Sequence, residues 1–229
     1  MSKKQIKREL DIKVVLLGES GVGKSCIILR FSNDIYSQVS LSTILCSHTS
    51  KPISFNNKKD IINFNIWDTA GQEKFRSISK IHYKDADVII LVFDITREKS
   101  FESIKEYWYP QVKENAPENA ILALVASKCD LKDECSVDID DARSYAEEIN
   151  AMFKETSSKA SFGINELFEE IGKKILSYDD FKGMIFKKNK TITDENTSDD
   201  DDENTDKTNE TKEIKLEINK IKKNQKRCC

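Results

Sequence analysis

One glycine-rich segment limits most strongly what this chain can fold into: Gly18-Glu19-Ser20-Gly21-Val22-Gly23-Lys24-Ser25. It matches the pattern G-x-x-x-x-G-K-[ST] and directly follows the apolar run Ile12–Leu17. In this pattern backbone N–H groups turn inward around an anion, and the positive end of the next helix faces the same anion. We expect Lys24 to contact the β- and γ-phosphates and the Ser25 hydroxyl to bind Mg²⁺. The segment and the adjoining Cys26 therefore predict a nucleoside triphosphate site.

Short apolar runs alternate with amphipathic segments before residue 178. This alternation predicts an α/β domain with a mostly parallel sheet and helices on both faces. The predicted helices follow Gly23 and lie at Ser100–Glu114, Asp138–Asn150 and Gly163–Leu176. The predicted strands are Ile12–Leu17, Ile61–Trp67, Val88–Asp94, Ile121–Ser127 and Ala151–Glu155, with a sixth at Lys51–Asn56 that pairs antiparallel with Ile61–Trp67 at the edge.

The composition excludes several classes of protein. A net charge of -3 gives no general reason to expect nucleic-acid binding. The longest apolar runs fall far short of the roughly 20 residues that a membrane-spanning helix needs. Met1–Asp11 is charged and lacks an apolar segment, so we expect no secretory signal. The six cysteines lack metal-ligand spacing, and a cytosolic body with reduced internal thiols is expected.

The residues after Tyr178 differ in composition from the rest of the chain. Eight acidic residues between positions 194 and 206 accompany no core-forming side chain, which predicts a disordered segment. Lys212–Arg227 then holds seven basic and two acidic residues, and Cys228 and Cys229 follow. The predicted organisation is an N-terminal extension at 1–10, one globular domain at 11–177 and a disordered tail at 178–229.

Three further motifs follow predicted strands: Asp68-Thr69-Ala70-Gly71-Gln72, Ser127-Lys128-Cys129-Asp130 and Ser157-Ser158-Lys159. Together with the glycine-rich segment, hereafter the P-loop, they resemble the small GTPases of the Ras superfamily over about Asp11–Leu176. In that family the last two motifs read Asn-Lys-x-Asp and Ser-Ala-Lys. The resemblance implies a P-loop small GTPase fold and a monomer that binds GTP or GDP with Mg²⁺.

Within the superfamily the chain looks most like the Rab branch. The similar stretches are Asn65–Glu73, Lys74–Ile78 and Leu91–Thr96. This likeness implies a membrane-anchored enzyme that slowly hydrolyses GTP and switches effector recruitment in vesicle traffic. It would work on the cytoplasmic face of an endomembrane and cycle with the cytosol. An exchange factor, a GTPase-activating protein and effectors are the implied protein partners.

The resemblance also assigns roles at the guanine base. Asp130 would accept hydrogen bonds from N1–H and the 2-amino group, which adenine cannot supply. Lys128 would pack over the base, and Tyr36, twelve residues after Lys24, would stack on it. Other base-site residues are Ser127, Ser157, Ser158 and Lys159.

The switch residues follow from the same resemblance. Thr43, nineteen residues after Lys24, would bind Mg²⁺ and the γ-phosphate, although Ser40, Ser42 and Ser47 lie nearby as alternatives. Asp68 would hold Mg²⁺, usually through water, and the Gly71 N–H would sense the γ-phosphate. Gln72 would orient the attacking water. No arginine finger is evident, so intrinsic turnover on the order of 10⁻⁴ to 10⁻³ s⁻¹ is expected.

The paired cysteines Cys228 and Cys229 resemble the double geranylgeranylation signal of Rabs. Two lipids anchor a protein stably where one is marginal. The basic residues of Lys212–Arg227 would add attraction to an anionic leaflet.

Several positions depart from the family pattern. Ser127 replaces an asparagine that, in the family, ties the base loop (Ser127–Asp130 here) to the P-loop. A serine hydroxyl is shorter and lacks the amide group that makes both hydrogen bonds, so weaker nucleotide affinity is expected. Ser158 replaces alanine, a mild change. Ile44–His48 differs from the Rab sequence, and we expect this difference to affect the effector surface more than the chemistry. The alternative function is therefore a GTPase-like binding module with weak nucleotide affinity and little hydrolysis.

The two histidines occupy positions of an aromatic triad that helps Rabs to select effectors. His48 and His82 stand where a phenylalanine and a tyrosine are usual, and Trp67 is the central member. One interpretation is a pH-sensitive effector surface, because an imidazole titrates near pH 6.5. The other is that both histidines are exposed edge residues.

Overall fold

A computed structural model describes residues 8–36, 47–56, 59–69 and 81–177. Its sheet contains β1 (Arg8–Leu17), β2 (Ser47–Phe55), β3 (Asp60–Asp68), β4 (Val88–Asp94), β5 (Ile121–Ser127) and β6 (Met152–Glu155). The strand order is β2-β3-β1-β4-β5-β6, with only β2 and β3 antiparallel among these six strands. The predicted six-stranded, mostly parallel sheet is confirmed, including its antiparallel edge.

Helices alternate with strands along the described part of the chain, as the sequence predicts, and the last helix follows β6. They are α1 (Lys24–Asn33), α2 (Glu98–Ser103), α3 (Tyr109–Asn115), α4 (Ile139–Glu148) and α5 (Ile164–Ser177). The helix predicted near Ser100–Glu114 is confirmed as an unbroken helical segment at 98–115, in which a π-helical turn at Ile104–Trp108 joins α2 to α3. None of the described helices combines the length and the apolar character needed to cross a bilayer.

The central strands are buried along their whole length. Every residue of β4 is buried, which suits a parallel strand covered on both faces and explains its continuous apolar sequence. On one face, Phe31 of α1 stacks on Phe168 of α5 with ring centroids 3.6 Å apart. On the other, Phe101 and Trp108 join the apolar core with Leu91 of β4. The sheet is therefore a rigid support for the loops at its ends.

Strand β1 begins four residues before the predicted start at Ile12. Its first residues, Arg8–Asp11, pair with Asp60–Asn63 of β3. Asp11 and Glu9 both accept hydrogen bonds from the Asn63 side-chain amide, at 2.9 and 3.1 Å. Because these residues are charged and polar, apolar periodicity does not predict this part of the strand.

Candidate functional site

The predicted motifs meet at one edge of the sheet. Parallel strands end there together, with Leu16 opposite Asp68, Asp94 opposite Ser127, and Ala126 opposite Glu155. The P-loop follows β1, and the two base-site motifs follow β5 and β6. Sites in open α/β sheets form at the carboxyl ends of parallel strands, and the motifs of this chain lie there.

The P-loop curls because three of its glycines have positive φ angles, and Gly18 shows why glycine is needed. A Cβ added to Gly18, whose φ is 143°, would lie 2.2 Å from the Val92 carbonyl oxygen. After the loop, α1 begins at Lys24, so the helix N-terminus faces the space that the loop encloses. This is the predicted anion cradle.

Lys24 folds back into the P-loop. Its Nζ donates hydrogen bonds to the carbonyl oxygens of Gly18 and Glu19, at 2.8 and 2.9 Å. Burial lowers the pKa of Lys24 to about 8, and the nearby Asp68 charge acts in the opposite direction. With this pKa the Lys24 side chain remains mostly charged near pH 7.

The predicted Mg²⁺ ligands Ser25 and Asp68 lie in contact. The Ser25 hydroxyl donates to Asp68 Oδ2 at 2.6 Å. The next residue, Thr69, is buried, and its hydroxyl donates to the Leu16 carbonyl oxygen at 2.6 Å, which fixes the end of β3 against β1. A hydroxyl and a carboxylate are the hard oxygen donors that Mg²⁺ prefers, so this pair beside Lys24 fits the ion.

The two base-site motifs are joined by Asp130 and Ser157. The buried Ser157 donates its hydroxyl hydrogen to Asp130 Oδ1 at 2.6 Å and accepts one from the Ala160 N–H at 2.9 Å. Asp130 Oδ2 lies 4.0 Å from Lys159 Nζ. Ser157 thus orients the carboxylate to which the guanine contact is assigned.

Ser127 contacts the P-loop despite its short side chain. Its buried hydroxyl oxygen lies 2.5 Å from the Val22 carbonyl oxygen and 2.7 Å from the Phe93 carbonyl oxygen. A hydroxyl has one hydrogen to donate, so it serves one carbonyl at a time. The contact between the base loop and the P-loop is present, with fewer donors than an amide provides.

Arg30 was not predicted as a site residue. Its Nε donates to the Ser158 carbonyl oxygen at 2.8 Å, and its guanidinium carbon lies 6.0 Å from the ring centre of Tyr36. Arg30 also donates to the carbonyl oxygen of Asp34 at 2.9 Å. It therefore links the loop after β6 to the partly exposed Tyr36, and no motif in the sequence marks it.

Asp94 and Arg97 were also not predicted as site residues. The buried Asp94 carboxylate lies 2.6 Å from Lys128 Nζ and 3.1 Å from Arg97 Nε. Arg97 also donates to the Ser20 carbonyl oxygen at 3.0 Å. Burial acts to raise the pKa of Asp94, but hydrogen bonds from Lys128 and Thr96 outweigh it and lower the pKa. The available signal was an aspartate directly after the apolar run of β4.

Cys129 lies inside the base loop, where a reactive thiol could disturb binding. Burial raises its pKa to about 11. At neutral pH it is therefore a protonated, inert core thiol.

Five of the predicted site residues lie outside the described residues. They are Thr43, Gly71, Gln72, Cys228 and Cys229.

Comparison with known proteins decides the family. A family model described as "Ras family" matches residues 13–177. The chain belongs to the Ras family. Human Ras-related protein Rab-22A is 41% identical over 169 residues, which cover 74% of this chain and 86% of that protein. Rat Ras-related protein Rab-31 is 41% identical over 165 residues, which cover 72% and 83%.

These relatives confirm the predicted Rab branch. The GTP-binding protein ypt2 of Schizosaccharomyces pombe is 37% identical over 164 residues, which cover 72% of this chain and 80% of that protein. The protein is therefore a Rab-type small GTPase, an enzyme that binds and hydrolyses GTP. Its P-loop lysine, its Ser25–Asp68 pair and its Asp130–Ser157 pair lie together at the carboxyl-end edge of the sheet.

Proposed function

We propose that this Rab-type GTPase is a membrane-anchored switch that recruits effectors in vesicle and endomembrane traffic while GTP is bound. One observation supports nucleotide binding most strongly: Lys24, the Ser25–Asp68 pair and the Asp130–Ser157 pair lie at the same edge of the sheet. The GTPase domain is assigned to residues 11–177, after an extension at 1–10, and the tail to 178–229.

At the phosphates, Lys24 exchanges its two P-loop carbonyl partners for oxygens of the β- and γ-phosphates. The P-loop N–H groups from Glu19 to Cys26 surround the same anion. Ser25, Asp68 and Thr43 would hold Mg²⁺, which when bound supplies positive charge beside the phosphates. The Thr43 hydroxyl and the Gly71 N–H sense the γ-phosphate, so their segments respond to hydrolysis.

At the base, the Asp130 carboxylate selects guanine because it accepts two hydrogen bonds that adenine does not offer. Ser157 holds one of its oxygens, which leaves the other side of the carboxylate for the base. Lys128 and Tyr36 pack over the ring, with Arg30 behind Tyr36. Ser158 and Lys159 line the remaining side.

Hydrolysis is slow and depends on a partner protein. Gln72 orients the attacking water, and without an activating partner we expect turnover on the order of 10⁻⁴ to 10⁻³ s⁻¹. Arg97 is held by Asp94 and the Ser20 carbonyl oxygen, so it is not assigned as the catalytic arginine. A GTPase-activating protein supplies the positive charge of a catalytic arginine. An exchange factor then replaces GDP with GTP, and effectors bind the GTP form.

Membrane attachment uses Cys228 and Cys229 as prenylation sites, with Lys212–Arg227 as a basic segment toward the anionic lipid surface. The protein works as a monomer on the cytoplasmic face of an endomembrane and cycles with the cytosol. Nucleic acid is not a partner.

A second candidate function is a GTPase-like binding module that holds nucleotide weakly and rarely hydrolyses it. Ser127 favours it, because its one hydroxyl hydrogen can serve only one of two neighbouring carbonyl oxygens at a time. Lys24, Asp68 and Asp130 favour the switch, since they retain the chemistry of nucleotide binding.

The nucleotide that copurifies with the full chain separates these functions. After denaturation, chromatography should detect GDP or GTP in near-equal amount to protein, and single-turnover assays should convert bound GTP to GDP. Substoichiometric nucleotide with no conversion would favour the binding module. A bound adenine nucleotide would contradict the role given to Asp130.

A further inference from the structure

A buried carboxylate lies between the base loop and the P-loop. Asp94 ends β4, and its side chain is 1% exposed. Its Oδ2 accepts contacts from Lys128 and Arg97, and its Oδ1 accepts hydrogen bonds from the N–H and the hydroxyl of Thr96, at 3.0 and 2.8 Å. Both oxygens are therefore occupied by donors from three residues, and Asp94 is held as a charged, oriented group.

Arg97 extends this contact to the phosphate side. Its Nη2 atom donates to the Ser20 carbonyl oxygen at 3.0 Å. A Cβ added to Gly21 would lie 3.8 Å from Arg97 Nη2. The guanidinium is thus close enough to the phosphate cradle for its charge to act there.

We propose that Asp94 and Arg97 are positioning residues that join the base loop to the P-loop, so that Lys128 and the loop at Ser20 hold or release guanine nucleotide as one unit. Lys128 and Arg97 are both cations, and they share a single carboxylate oxygen. Loss of the carboxylate leaves two like charges side by side without a counter-charge. Lys128 then leaves its place beside the base, and Arg97 loses the anchor that holds it against the P-loop.

Lys128 and Arg97 should be energetically coupled through Asp94. Effects of distant residues that share no partner add, whereas members of one ion-pair network do not. Lys128 and Arg97 act on different parts of the nucleotide and share Asp94. Their effects on nucleotide release should therefore depend on each other.

The experiment measures the release of fluorescent GDP from the full chain, from Arg97→Gln, from Lys128→Met and from the double variant. We expect Arg97→Gln to speed release by about threefold to tenfold, and the double variant to differ from the product of the two single effects by at least about threefold. Additive effects, or an unchanged rate in Arg97→Gln, would overturn the proposal. A general loss of stability would speed release in both variants without making their effects interdependent.

Asp94→Asn completes the test. It should speed release by about tenfold or more in the parent, but by much less where Lys128 and Arg97 are already replaced. If this buried substitution prevents folding, the cycle of Arg97 and Lys128 still decides, because both of its variants keep the carboxylate. An equal effect of Asp94→Asn in both backgrounds would contradict the shared network.

Glu170→Gln is the matched control. Glu170 of α5 pairs with Lys154 of β6 at 2.6 Å in an exposed ion pair away from the site, so release should stay within about twofold of the parent. The inference rests on the nucleotide site of the proposed function. A parent chain that does not bind labelled GDP would overturn both, whereas a parent that binds it with additive variants overturns this inference alone.

Discussion

The hydroxyl oxygen of Ser127 lies within hydrogen-bond distance of two carbonyl oxygens, 2.5 Å from that of Val22 and 2.7 Å from that of Phe93. Val22 belongs to the P-loop and Phe93 to β4, so one side chain of β5 reaches both neighbours. Because only one hydroxyl hydrogen is available, one of these carbonyls always lacks a donor from Ser127. This position therefore limits how firmly the base loop holds the P-loop.

Ser127→Asn should slow GDP release. Its amide group has two hydrogens, one for each carbonyl oxygen, and each added hydrogen bond contributes roughly 0.5–1.5 kcal/mol, which corresponds to about twofold to tenfold slower release. The rate at which unlabelled GDP displaces labelled GDP measures this release. Ser127→Ala, which donates to neither carbonyl, should change the rate in the opposite direction. Equal release from the serine and asparagine forms would show that Ser127 does not weaken the site.

Asp130→Asn should shift preference from guanine toward xanthine nucleotides. The asparagine amide would donate to the 2-carbonyl of xanthine, where the carboxylate accepted from the 2-amino group of guanine. Ser157 still donates to the remaining side-chain oxygen, so the loop keeps its shape. Competition of xanthosine and guanosine diphosphates for the site measures the change.

Ser157→Ala is the control for that experiment. It removes the hydroxyl that orients Asp130 but leaves the carboxylate, so affinity should fall while guanine stays preferred. Continued preference for guanine in Asp130→Asn would mean that another residue reads the base.

Continuous apolar runs predicted the central strands closely, because β4 and β5 are buried on both faces. The P-loop could be predicted because glycine at Gly18 is a backbone requirement visible in sequence. The contacts of Asp94 with Arg97 and Lys128 could not, since Asp94 and Lys128 are 34 positions apart in the chain and meet only after β4 and β5 pair. The same holds for Arg30, whose partner Ser158 lies on a distant loop.

Gln72→Leu should lower GTP hydrolysis by at least about tenfold and leave GTP affinity near that of the parent. The substitution removes the group that aligns water but no ligand of the phosphates. Single-turnover hydrolysis, with and without an activating partner, measures the first effect, and displacement of labelled GTP measures the second. Turnover equal to that of the parent under both conditions would remove Gln72 from the mechanism.

Cys228→Ser together with Cys229→Ser should move the protein from the membrane fraction to the soluble fraction, because the remaining basic segment alone binds lipid weakly. Nucleotide binding should stay intact. Cys135→Ser is a suitable control, since Cys135 is an exposed thiol of the folded domain and should not affect membrane association. Continued sedimentation of the double variant with membranes would contradict the lipid anchor.

The rings of His48, Trp67 and His82 form a row, in which His82 stacks on Trp67 and His48 is tilted against it. The Trp67 ring centre lies 4.9 Å from that of His48 and 5.3 Å from that of His82. Burial lowers the pKa of His82, the Lys13 charge acts in the same direction, and Asp85 opposes both. The folded protein therefore disfavours protonated His82, so its contribution to stability is present above about pH 6.5 and is lost as the pH falls below that value.

We expect His82 to make effector binding pH-dependent between about pH 7.5 and 5.5, mainly below pH 6.5. An acidic effector surface should bind more tightly as His82 gains charge, and an apolar one more weakly. Affinity of a GTP-dependent partner, measured across this range in the parent and in His48→Phe/His82→Tyr, tests it. A flat profile in the parent, or the same profile in the double variant, would show that the histidines are passive edge residues.

Tryptophan fluorescence tests the titration without any partner. A protonated imidazole that contacts the Trp67 ring changes the fluorescence emission of Trp67. The second tryptophan, Trp108, is 1% exposed in the core, and the substitution Trp108→Phe removes its emission. In that background, emission should change as the pH falls below about 6.5, and His82→Tyr should remove most of the change. The Lys13 ammonium lies 5.4 Å from the Trp67 ring centre, so Lys13→Met, which relieves its repulsion of the imidazolium, should move the midpoint to higher pH. A midpoint unaffected by Lys13→Met would mean that the charge on this surface does not govern His82.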